Sequence, residues 1–141
     1  MNVAWGVVII LTSMVAWGGQ VLAWRNPDLA GRLGLADVES EVDPTFWLDG
    51  SAEAAWDSLV LWTMPVAGLL LLADQDWWPY LGLVGGGSYL YFAGRGIAVR
   101  VTMRRHGVEI GSGTTALVAL AIRGVVALVT ICAAIISLEG A

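Results

Sequence analysis

Three ionisable residues of this sequence lie inside long apolar segments: Asp57, Arg95 and Arg123. A charge at the centre of a membrane-spanning helix costs roughly 2.5 to 3.5 kcal/mol on insertion scales, so each of them needs a partner, water or a route to the interface. Charges in such positions pair with one another, line polar cavities or bind ions. They are therefore the first candidates for a functional role.

Asp57 and Arg95 are predicted to face each other. Only residues 74–77 separate the two middle apolar segments, so these segments form an antiparallel helical hairpin. Facing positions across this turn set Asp57 beside Arg95. Glu53, one helical turn before Asp57, then approaches Arg100. We predict an intramembrane ion pair with Glu53 and Arg100 as its outer layer. Arg95 lies about 6 Å inside its segment, which favours a fastening role over a gate.

Arg123 is predicted to lie near the middle of the last apolar segment, about 12 Å from its start. Thr63 and Tyr91 are predicted to lie at a depth in the membrane comparable to that of Arg123. Gln20 is predicted to lie nearer the cytoplasmic end of its span. These four residues predict a polar pocket in one half of the membrane domain. Arg123 then either binds an anion or a lipid headgroup, or has a structural role, and the sequence favours neither.

Small residues and a proline occupy the middle of the hairpin. Gly82 and Gly86 form a G-x-x-x-G step, with Gly85 and Gly87 beside them, and the predicted register places Pro65 opposite Gly86. Small residues let helix backbones approach closely, so tight packing is the favoured interpretation. The alternative is a hinge in two broken helices, of the kind that transporters use at a binding site.

Residue types exclude several kinds of chemistry. The chain has no lysine, so a retinal Schiff base cannot form, and its single cysteine and single histidine provide no metal site of these ligands. The acidic stretch 37–43 lacks the glycine and the last glutamate of a calcium loop. A net charge of −5 argues against nucleic acid as a partner. We find no catalytic motif, and predict no cofactor, no metal and no enzymatic activity.

The elements that must position these residues are four apolar blocks. Hydrophobic residues make up 57% of the 141 residues, and the mean hydropathy is +0.73. A helix of about 20 residues matches a hydrocarbon core of ~30 Å. We therefore predict an all-α integral membrane protein, one domain of four transmembrane helices in an antiparallel up-down bundle. The predicted spans are residues 3–24, 54–73, 78–99 and 115–138.

Two extramembrane loops are expected between these spans. Residues 25–53 are acidic, with a possible short helix over residues 27–35, and residues 100–113 are basic. Ser112 or Thr114 is expected to cap the last span. Because arginines follow the first and third spans, the positive-inside rule places both loops in the cytoplasm, where they can pair. Both termini are then outside the cytoplasm, in a plasma membrane of the bacterial inner-membrane type.

Three functions are compatible with these features. The first is a structural or accessory subunit that packs in the lipid bilayer against itself, as a homo-oligomer, or against a larger membrane complex. The alternative is a small oligomeric channel or transporter that uses the polar pocket. A membrane enzyme acting on lipid is the third, and it would require Glu53, Asp57 and His106 to converge.

Overall fold

The protein is all-helical in a computed structural model that describes residues 2–111 and 113–140. No strand occurs in this described part of the chain. A single turn of 3₁₀ helix covers Glu39–Glu41. The α-helices are α1 (Asn2–Arg25), α2 (Pro27–Arg32), α3 (Pro44–Val60), α4 (Thr63–Leu72), α5 (Trp78–Arg105) and α6 (Gly113–Glu139).

Three segments of the described residues are long and apolar enough to cross a membrane: Val3–Arg25, Pro44–Leu72 and Gly113–Glu139. Four had been predicted, and α5 is the one that falls short. It has 28 residues, which is sufficient length, but its four arginines and its run of glycines lower its hydropathy.

The second apolar helix begins ten residues earlier than the sequence predicts. The carboxylate of Asp43 accepts a hydrogen bond of 2.8 Å from the backbone N–H of Thr45, and Pro44 occupies the first helical turn. Both features favour the start of a helix. Residues 44–53, predicted as part of the acidic loop, are therefore the first turns of α3. Thr114 lies within α6 and does not cap it, while Ser112 lies outside the described residues.

A proline separates α3 from α4. Pro65 has no N–H to donate to the carbonyl of Leu61, four residues earlier, and its ring crowds that carbonyl. The regular helix accordingly ends at Val60 and resumes at Thr63. By contrast, α5 runs without a break through Gly85–Gly87. The predicted interruption is thus present at Pro65 and absent from the glycine run.

Glycines mark the places where the helices approach most closely. Gly6 of α1 lies against Leu72 of α4, and Gly85 of α5 lies against Met64. The predicted register placed Pro65 opposite Gly86, whereas Met64 faces Gly85 in the structure, one residue earlier on each helix. Along α5 and α6 the contacts run in opposite directions, from Gly82 with Ala134 to Gly96 with Leu120. The core lies between these helices, and many large apolar side chains face outward.

Candidate functional site

The two loops meet at one end of the helices. Asp37 and Arg100 form a salt bridge of 2.5 Å, and the guanidinium of Arg100 lies 5.0 Å from the ring centroid of Phe46. An isolated antiparallel bridge joins Val42 to Ile110, and these two side chains are buried with Phe46. The predicted pairing of the acidic and basic loops is present, and the paired loops form a cap over one end of the protein.

Arg95 is bound to two carboxylates, neither of which is Asp57. Its Nη2 lies 2.7 Å from Oδ1 of Asp49, and its Nη1 lies 2.6 Å from Oε2 of Glu53. The predicted ion pair between Asp57 and Arg95 is therefore wrong. Of the predicted outer layer, Glu53 binds Arg95 directly and Arg100 binds Asp37.

The early start of α3 explains this exchange of partners. Asp49, Glu53 and Asp57 follow one another at intervals of four residues, so they share one face of the helix. The guanidinium of Arg95 is occupied by the first two of them. Asp57 is left only 5% exposed, and its Oδ2 is buried without a hydrogen-bond partner among the described residues.

A cavity of about 370 Å³ lies beneath the cap, with walls from α1, α3, α5 and α6. Apolar side chains such as Phe92 and Leu120 form part of its surface. Its polar lining includes Gln20, Asp37, Asp49, Glu53, Arg100 and Arg123. A space of this size, with apolar walls and several converging polar groups, is a candidate small-molecule site.

Arg123 has no protein partner in this cavity. It is partly buried, and none of the ion pairs or side-chain hydrogen bonds formed by residues 2–111 and 113–140 includes it. Arg95 and Arg100, in contrast, are neutralised by carboxylates. Of the two arginines that line the cavity, Arg123 is thus the one whose N–H donors bind no other group in the described part of the protein.

The predicted pocket is present only in part. Gln20 and Arg123 line the cavity, but Thr63 is buried elsewhere and donates its hydroxyl hydrogen bond to the carbonyl of Val60. Tyr91 is 65% exposed on the outer surface. Asp37 and Asp49 line the cavity as well, and the sequence analysis missed them because it assigned both to an extramembrane loop. The Asp-Pro pair at 43–44, a helix-start signal, could have revealed the position of Asp49.

Two buried hydrogen bonds hold α1 against its neighbours below the cavity. The hydroxyl of Tyr89 donates to the carbonyl of Ser13 at 2.8 Å, and Nε1 of Trp17 donates to the carbonyl of Ser58 at 2.9 Å. Ser13 lies in the middle of α1, and Ser58 lies in the last turn of α3, beside the break before α4. The bonds fix the wall that carries Gln20. Neither was expected from the sequence.

The cap carries one carboxyl with a perturbed acidity. Burial raises the pKa of Asp37 above its ordinary value of 3.8, and the nearby charge of Glu41 adds to this effect. The guanidinium of Arg100 lowers the pKa and so opposes burial only in part. The salt bridge between Asp37 and Arg100 is therefore lost at a higher pH than one formed by an aspartate of ordinary pKa.

Comparison with known proteins gives no family for this chain. No family model matches it, and no match is found among curated proteins or solved structures.

Proposed function

We propose that the chain is a four-span integral membrane protein, with α1, the α3–α4 segment, α5 and α6 as its spans. Three of these segments are apolar enough to cross a bilayer by themselves. The fourth, α5, packs against α4 on one side and along α6 on the other. A helix that lies along an apolar spanning helix shares its depth in the membrane. Its arginines lie toward the end that carries the polar cap, which reduces the cost of inserting it.

In this arrangement the cap faces the cytoplasm and both termini lie on the opposite side. The arginines that follow α1 and that end α5 support this orientation through the positive-inside rule. Labelling with a membrane-impermeant maleimide tests it, in a background in which the native Cys132 is alanine. A cysteine introduced for Glu39 should react only after the membrane is opened, and one introduced for Gln75 should react in intact cells. The reverse pattern would contradict the orientation.

We further propose that the protein binds a small anionic solute in the cavity and carries it across the membrane. The observation that supports this most directly is Arg123, a partly buried cation that lines the cavity without a protein partner. A guanidinium away from bulk water gains most from an anionic ligand that accepts its hydrogen bonds. The break before Pro65 supplies a point at which the neighbouring wall can bend.

Binding can be tested with defined anions. Purified protein in lipid nanodiscs is heated with inorganic phosphate, acetate or octanoate while tryptophan fluorescence is recorded. At least one anion should raise the unfolding temperature of the wild type, because a ligand that binds only the folded state stabilises it. The shift should be lost in Arg123→Gln and kept in Arg105→Gln, a matched change of an exposed arginine at the end of α5. Equal shifts in both variants would contradict the proposal.

Transport is tested with the same anion in proteoliposomes. Uptake should require the wild-type protein, and Arg123→Leu should abolish it while the protein still assembles in the membrane. A structural or accessory subunit, another function expected from the sequence, predicts instead that Arg123→Leu leaves assembly and phenotype intact or alters assembly alone. The glycines that suggested self-association are partly engaged within the chain, since Gly82, Gly85 and Gly86 each contact other helices.

A further inference from the structure

Asp57 is a buried carboxyl that the cavity does not use. It lies in the last turns of α3 and is 5% exposed, and its Oδ2 has no hydrogen-bond partner in the described part of the chain. Removing an ionised carboxylate from water without a partner carries a large free-energy cost, which such a group avoids by binding a proton. Acidic residues in membrane helices mark proton relays for this reason.

The charges around Asp57 leave it without a counter-ion. Glu53 is on the same face of α3, and Arg95 is the nearest cation on α5, but the two Nη atoms of Arg95 are bound to Asp49 and Glu53. Three carboxyls therefore share one guanidinium. If all three were ionised, the group would carry two excess negative charges, and Asp57 is the most buried of the three carboxyls.

The other elements packed around Asp57 supply no further cation. In α1 the sole ionisable side chain among the described residues is Arg25, at its far end, and α4 has none. Tyr89 of α5 lies within electrostatic range of both Asp57 and Arg123, and its hydroxyl donates to the carbonyl of Ser13. A proton on Asp57, the one of the three carboxyls without a bond to Arg95, removes one of the two excess charges.

We propose that Asp57 is an intramembrane proton-binding site that is neutral when Arg95 holds Asp49 and Glu53. The proton comes from solvent and binds to the carboxylate, and no other reactant is required. When the proton leaves, Asp57 competes with Asp49 and Glu53 for the guanidinium of Arg95. The backbone N–H of Leu61 donates to the carbonyl of Asp57 at 2.9 Å, so Asp57 lies one turn before the break between α3 and α4.

The site itself does not depend on transport. A role of this site in coupling proton movement to solute movement rests on the proposed function. Loss of the proton would loosen the ion pairs that join α3 to α5 at the cavity wall. Proton movement would then accompany movement of the solute.

Infrared difference spectroscopy of the protein in nanodiscs tests the site. At pH 7, in a sodium-free buffer, the wild type should show the carbonyl stretch of a protonated carboxylic acid, which shifts in heavy water. The band should be lost in Asp57→Asn and kept in Glu39→Gln, which changes an exposed carboxyl. A wild type without the band, or a band that survives in Asp57→Asn, would overturn the proposal. Loss of the band on adding sodium chloride would assign the site to a metal cation and also overturn it.

Stability provides a second readout that does not require the band. Asparagine has nearly the shape of a neutral aspartic acid but takes up no proton on folding, so Asp57→Asn should unfold at a higher temperature than the wild type at pH 7. Glu53→Gln should unfold at a lower temperature, because it breaks an ion pair with Arg95. An equal loss in both variants would mean that Asp57 is ionised. A protonated Asp57 in a protein that gives no solute uptake would disprove transport and leave the proton site in place.

Discussion

Replacing Gly85 by alanine should damage the contact between α4 and α5, and the structure supplies an internal control two residues away. A methyl group at Gly85 would lie 2.8 Å from both N and Cα of Met64. Carbon atoms in favourable contact are about 3.5 to 4.0 Å apart. Because the obstructing atoms belong to the backbone of α4, a rotamer change cannot relieve the clash. At Gly87 a methyl group would meet nothing within 4 Å.

The two variants can be compared quantitatively because they share everything except the clash. Both lie in the middle of α5, and in each the change from glycine to alanine raises helix propensity by about 1 kcal/mol. This gain cancels in the difference. Forcing an extra methyl into a packed interface costs about 1 to 3 kcal/mol. Gly85→Ala should therefore be less stable than Gly87→Ala by about 1 to 3 kcal/mol.

Gly86 provides an intermediate case. A methyl group there would lie 2.6 Å from Cγ1 of Ile131 and 3.2 Å from the carbonyl oxygen of Ala127. The first of these atoms belongs to a flexible side chain and can move, and the second belongs to the backbone and cannot. We therefore expect the stability of Gly86→Ala to fall between those of the other two variants.

The measurement is unfolding by sodium dodecyl sulfate in mixed micelles that each hold one copy of the chain. Its eight tryptophans report the transition. Equal stability of Gly85→Ala and Gly87→Ala would refute the close approach of α5 to α4. A loss at Gly87 larger than that at Gly85 would show that the opposite face of α5 makes the contact.

Two further predictions concern ion pairs. A double-mutant cycle of Arg95→Gln and Glu53→Gln, measured in the same unfolding assay, should give a coupling energy of about 0.5 to 3 kcal/mol. The cycle of Arg95→Gln with Asp57→Asn should give a smaller coupling energy. If the second coupling energy were the larger, the ion pair between Asp57 and Arg95 that the sequence predicts would be correct. For Asp37, a folded-state pKa above the ordinary 3.8 means that the folded protein binds this proton more tightly, so its contribution to stability falls as the pH rises from 3.8 through the folded pKa. Arg100→Gln removes the opposing charge and should enlarge the loss of stability as the pH rises above 3.8. Adding Asp37→Asn should cancel that enlargement, and an unchanged loss in the double variant would contradict this assignment.

The presence of the helices and the pairing of the two loops could be predicted from the sequence because they depend on strong, local signals. Long apolar blocks predict helices, and Asn26-Pro27 predicts the start of α2, where the Asn26 side chain accepts a hydrogen bond from Leu29. The break at Pro65 follows from the missing N–H. The predicted pocket included Gln20 and Arg123 because both are polar residues placed correctly in depth. Tyr91 was misplaced because depth alone does not specify which side of a helix faces inward.

The partners of the arginines could not be predicted, since they depend on where a helix begins. With α3 starting at residue 54, Asp57 would be the acidic residue of the span nearest to Arg95. With α3 starting at Pro44, Asp49 joins Glu53 on the face that meets Arg95. Three carboxylates then lie on the face of α3 that meets Arg95, and Arg95 binds the two nearest the cap. At that end its long side chain also reaches water most easily. Asp57, the deepest of the three, is excluded by this competition. The carboxyl that the sequence assigns to an ion pair is thus the one that must stay neutral, and a helix start thirteen residues away determines its chemistry.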